Sequence, residues 1–208
     1  MKGSVRRIGY VEFLDAFSRV AEEQLRETED YSDNGKWTLR MCGARDQPGL
    51  IHCLAESLRS KCIPDLEPRS QWYTLDAALI SYGQESGFPL GYPPYFHCII
   101  EHENGDHWHE EMWKLVHWRC PLKVLIVYDY NDDKKTSQGR QEWVDKRIQT
   151  MRNFLDTANA LQGEECADYL LIVGSKVTTN EHSISWRACL LNRPDDAPRP
   201  IQDVISGL

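Results

Sequence analysis

The chain has 208 residues, 41% of them apolar, and a formal charge of -8; this is length enough for one large domain or two small ones around a real core, and too much apolar content for a disordered chain. No stretch approaches the roughly 18 consecutive apolar residues that span a bilayer, and the opening MKGSVRRIGYVEF has charge without a continuous apolar run or cleavage site, so a cytoplasmic protein without membrane attachment is expected. The negative balance argues against a broadly basic nucleic-acid-binding surface and leaves room for a local positive groove, or one supplied by a partner subunit.

Tyr10, Leu14, Phe17, Ala21 and Leu25 recur at steps of three and four between charged residues, which predicts an amphipathic helix from Gly9 to about Thr28. After the turn-rich YSDNGK, the stretch from Trp37 to Met41 reads as a short strand. Asp46 and Pro48 then offer an N-cap and an early helical proline for a second helix, with Leu50, Ile51, Leu54, Ala55 and Leu58 on its buried face. QWYTLDAALISY is expected to form one strand, the loop GQESGFPLGYPP follows, and YFHCIIEHENG reads as a strand buried on both faces until its acidic end emerges.

Asp106 can cap a helix from His107 to about Trp118, and LKVLIVYDY is the clearest interior strand. A long helix from about Gln141 to Leu161 comes next, then the strands ADYLLIVGSKV and SISWRACLLN, and a proline-rich tail expected to be peripheral. There is no internal repeat or low-complexity linker, so residues 1–208 are expected to form a single domain: an α/β (α+β) protein with a mixed central sheet flanked by helices, an N-terminal helical extension and a C-terminal strand pair. No glycine-rich phosphate loop follows any strand, which removes the main support for kinase, NTPase or dinucleotide-binding readings. The seven cysteines, scattered without CxxC pairs, suggest packed, reduced thiols rather than a disulfide framework.

The chemistry-bearing residues are Asp76 in TLDAALI and the pair Glu101 and Glu103 in CIIEHEN. Residues two apart on a strand share a face, so the two glutamates project together while His102 points away. With neighbouring strands, Asp76 approaches the same spot, and three converging carboxylates repel unless a cation joins them. Oxygen ligands suit Mg²⁺ or Mn²⁺.

This arrangement resembles the PD-(D/E)xK superfamily of restriction-endonuclease-like nucleases over roughly residues 50 to 130. By that resemblance Asp76 matches the motif Asp and Glu101 the acidic residue of (D/E)xK, while Glu103 stands where lysine is usual and Leu75 where proline precedes the Asp. Lys114 is the candidate for a lysine moved to the following helix, since it shares a face with His107 and Glu111; pairing with Glu110 at the surface is its plainer role. The resemblance implies Mg²⁺- or Mn²⁺-dependent hydrolysis of nucleic acid, DNA ahead of RNA. Asp76, Glu101, Glu103 and Glu56 would be metal ligands, and Asp76, Glu101, Glu103 and Lys114 the catalytic set. The alternative is a catalytically inactive member of the same fold acting as a scaffold, and a protein partner or homo-oligomer is plausible in either case.

His102, His107 and His109 raise zinc as a rival, but their spacing matches no tight zinc signature. Trp108, Trp113 and Trp118 could stack bases, although packing is the default role of Trp113 and Trp143. Lys134, Lys135, Arg140, Lys146 and Arg147 make the best local basic patch, which a solvated loop-helix face also explains.

Overall fold

The computed structural model describes residues 7–25, 34–43, 48–61, 63–72, 74–82, 95–129, 137–162, 166–176 and 184–207. Three helices open the chain, α1 (Tyr10–Gln24), α2 (Asn34–Cys42) and α3 (Leu50–Lys61). In α1 the Glu12 carboxylate accepts a hydrogen bond from the Gly9 amide at 2.9 Å, closing the first turn. The expected strand at Trp37–Met41 is part of α2 instead. A strand would bury residues 37, 39 and 41 together, whereas Trp37 and Met41 are buried and Leu39 faces outward, the spacing of one helical turn. Asp46, the expected cap of α3, lies outside the described residues.

The sheet follows: β1 (Glu67–Trp72), β2 (Leu75–Ser81), β3 (Tyr95–Glu103), α4 (Trp108–His117), β4 (Leu122–Tyr128), α5 (Ser137–Gln162), β5 (Asp168–Lys176), β6 (Ile184–Leu190), β7 (Arg199–Pro200) and α6 (Ile201–Ser206). Its seven strands stand in chain order, β1 to β7. The pairs β3–β4 and β4–β5 are parallel and the other four are antiparallel. Parallel neighbours need a crossover element, and α4 and α5 supply the two required. The predicted single strand QWYTLDAALISY is a hairpin, β1 turning into β2, with Gln71 at a positive φ of 48° just before the turn.

Two cores lie on opposite faces of the sheet. On one face α1, α2, α3 and α6 pack on Ala77, Leu79, Cys98, Ile100, Val124, Ile126 and Ile172. On the other, α4 and α5 pack on Ala78, Ile80, Ile99, Leu125, Val127, Leu171 and Val173. The protein is therefore a mixed α/β structure, a mostly antiparallel seven-stranded sheet flanked by helices. Strand β4 is buried throughout, as its apolar run requires of a strand covered on both sides. Its one cation, Lys123, reaches the Tyr169 hydroxyl at 2.8 Å.

The tail is not peripheral. Arg152 of α5 donates to the carbonyls of Leu191 and Arg193, at 3.3 and 2.9 Å, and Ile201 and Val204, one helical turn apart in α6, are buried. Trimming one methylene there, Ile201→Val, is expected to cost about 0.5–1.5 kcal/mol, read as a lower urea midpoint; an unpacked tail would show no change. All six described cysteines are free; Cys42, Cys98, Cys120 and Cys189 are packed as expected, whereas Cys166 is exposed. Among the described residues, no helix is long and apolar enough to cross a membrane.

Candidate metal centre

The β2–β3 register pairs Ala77 with Ile100 and Ala78 with Ile99, and carried one step further it sets Asp76 beside Glu101. Alternation then turns both carboxylates toward the α4–α5 layer, on the side of Ala78 and Ile99. Asp76 is held there by the backbone amide of His102, which donates to its Oδ2 at 2.8 Å.

What brings the third carboxylate is the turn after β3. Glu103 accepts a hydrogen bond from the Gly105 amide, which closes the turn. From α5, Arg147 donates to the Asp106 carbonyl at 2.6 Å while its guanidinium lies 4.3 Å from the Trp143 ring centre. These contacts start α4 at Trp108, whose ring is fully buried and set edge-on to Trp143 at 5.2 Å. The N-cap is His107, without a side-chain cap bond, and not Asp106. Helix α4 then runs back over β3, and its residues Glu111 and Lys114 come down on the two strand carboxylates.

Asp76, Glu101 and Glu111 each offer an oxygen, and these oxygens lie within 4.8 Å of one another; among the described residues no other group of His, Cys, Asp or Glu has this geometry. Lys114 joins them, its Nζ 2.9 Å from Glu101 Oε2, in contact with the Glu111 carboxylate and 3.4 Å from the Thr74 carbonyl. Glu101 is 0% exposed, and its Oε1 has no hydrogen-bond donor among the described residues. A buried carboxylate oxygen in that condition is uncommon.

The electrostatics follow from burial. Loss of solvent, with the Glu111 carboxyl as a close neighbour, pushes Glu101 up to about 9 against the pull of Lys114. Burial also raises Asp76, offset in part by the His102 amide, and raises Glu103, offset in part by the Gly105 amide. Burial alone would lower Lys114; contact with Glu111 and Glu101 outweighs it and holds the ammonium above its ordinary range. The site therefore holds more acid than one lysine neutralises.

Of the residues expected at the site, Asp76, Glu101 and Lys114 come together. Glu103 shares their face but closes its turn on Gly105, and Glu111 completes the close group in its place. Lys114 pairs with Glu101 and Glu111 and not with Glu110, which holds His107 at 3.0 Å. Glu56 belongs to the other layer: it sits on α3, 64% exposed, paired with Arg59 at 2.7 Å. Glu56→Ala is accordingly expected to leave metal affinity unchanged and to shift stability by less than about 1 kcal/mol, as calorimetry would show.

The histidines do not converge. His102 is buried behind the site on the opposite face, bonded to the Tyr128 hydroxyl at 2.9 Å, and burial lowers it to about 3, which keeps the ring neutral. Trp113, expected to pack, is 54% exposed, its ring against His117 at 4.6 Å, whereas Trp118 lies against Phe96 at 5.5 Å. The basic patch is reduced by the engagement of Arg147 with Asp106, and Lys134 and Lys135 lie outside the described residues. No family model, curated protein or solved structure matches the chain.

Proposed function

We propose that the protein is a metal-dependent phosphodiesterase that hydrolyses nucleic acid, on a fold of the restriction-endonuclease-like kind. The observation that carries this reading is Lys114 of α4 resting on Glu101 beside Asp76 and Glu111: three carboxylates from β2, β3 and α4 with a lysine in contact with two of them. The sequence motif lacks its lysine at Glu103, and a lysine from the following helix meets the same need.

Asp76, Glu101 and Glu111 would hold the ion through oxygen alone, a donor set suited to Mg²⁺ or Mn²⁺ and poor for zinc. Bound there, such an ion supplies Lewis acidity toward a phosphoryl oxygen and lowers the pKa of an attacking water. The ammonium of Lys114 is placed to offset negative charge developing on the phosphate. Burial keeps bulk water from weakening these interactions. Glu103 acts at one remove, fixing the turn that delivers α4.

The test is cleavage of mixed single- and double-stranded DNA and RNA under a Mg²⁺ or Mn²⁺ titration. Cleavage that requires the ion is the expected result. No cleavage of any substrate, with no metal-induced thermal shift, would overturn the reading and leave a scaffold of the same fold.

A further inference from the structure

Lys114 has a second consequence, resting on the metal reading above, that concerns the ion rather than the substrate. The two oxygens of Glu101 are unequally served: Oε2 takes the ammonium at 2.9 Å, while Oε1, buried, has no donor among the described residues. Glu111 leans on the same ammonium. One side chain thus supplies the positive charge for two of the three proposed ligands.

A divalent ion about 2.1 Å from the Glu101 Oε2 would stand no more than about 5 Å from the ammonium nitrogen. Like charges that close, beside a fully buried carboxylate, repel. Retreat is open to the lysine, because its side chain keeps 25% of its surface exposed and the Thr74 carbonyl lies 3.4 Å from Nζ. We infer that Lys114 is a resident counter-ion that competes with the divalent cation: it neutralises the acids between binding events, holds metal affinity down, and is loosened from Glu101 and Glu111 when the ion enters. A lysine that only prepared the carboxylates for metal would have the opposite effect on affinity.

The experiment is Mn²⁺ binding to the full chain, by calorimetry and by the electron spin resonance signal of free Mn²⁺, for wild type and for Lys114→Met. Removal of the cation is expected to tighten Mn²⁺ at least about tenfold and to lower the melting temperature measured in chelator. Equal or weaker binding by the folded variant would overturn the competition while leaving the metal centre standing. Absence of Mn²⁺ binding in both proteins would overturn the centre and the counter-ion role together. Should Lys114→Met fail to fold, acylation of lysines in wild type, read by mass spectrometry with and without saturating Mn²⁺, decides the matter. Faster modification of Lys114 with the ion supports displacement, and an unchanged rate refutes it.

Discussion

Glu101→Gln is expected to lower metal-dependent cleavage by about 10³-fold or more while the protein keeps its fold. The substitution preserves shape and removes the charge of the most deeply buried of the three proposed ligands. The ion's effect on a transition state is worth several kcal/mol, and each 1.36 kcal/mol is a factor of ten in rate. Asp76→Asn should act alike, since its carboxylate enters the same group. Single-turnover cleavage at saturating Mg²⁺, beside far-UV circular dichroism of each variant, gives the comparison. Retention of more than a tenth of the wild-type rate by folded Glu101→Gln would remove Glu101 from the mechanism.

The same substitution is expected to stabilise the protein in chelator, increasingly as the solution becomes more alkaline. Glu101 is held at about 9 in the folded chain against an ordinary 4.5, so between those values the folded state binds more protons than the unfolded state. Stability contributed by this group is thus complete below pH 4.5 and declines as pH rises toward 9, by at most about 1.4 kcal/mol per unit. Urea denaturation of wild type from pH 5 to 8.5 should show that decline, and Glu101→Gln should flatten it. With Mg²⁺ or Mn²⁺ bound the carboxylate must ionise, so metal binding releases a proton and apparent affinity climbs with pH over the same window. A wild-type profile with no slope attributable to Glu101 would show that the carboxyl ionises as it would in water.

Sequence reasoning reached two of the three grouped carboxylates and missed the third. Asp76 and Glu101 were legible because strand alternation is local, and two carboxylates emerging from apolar strands narrow the choices sharply. Glu111 was not, because its use depends on which side of α4 turns toward β2, and that is set by distant partners: Arg147 on Asp106, Trp143 on Trp108. A signal did exist, in the three-residue spacing that puts Glu111 on the face of Lys114. Glu56 failed for a related reason, since a helix before the sheet can cover either face and α3 covers the one away from the acids.

The architecture shows the same division. LKVLIVY declared itself an interior strand, and the period of α1 was plain. The hairpin inside QWYTLDAALISY was hidden because no glycine or proline marks the turn between Trp72 and Leu75. Trp37 to Met41 is five residues long, too short for period alone to separate helix from strand. In the tail the prolines drew attention from Ile201 and Val204, whose spacing was the better guide.

The arrangement of the sheet bears on how the protein is made. Because every strand pairs with the one just before it in the chain, each can dock on a surface that has already left the ribosome, and loop-closure entropy remains small at every step. Asp76 and Glu101 precede β4 in the chain, whereas Arg147 and Trp143, which place α4, follow it on α5, so Glu111 takes its position beside them only once α5 has docked. The contact that must wait longest is the docking of α6 on α1, where Gln202 meets Ser18 at 2.9 Å. Trimming the last helix should therefore disturb the latest stage of maturation and spare the earliest.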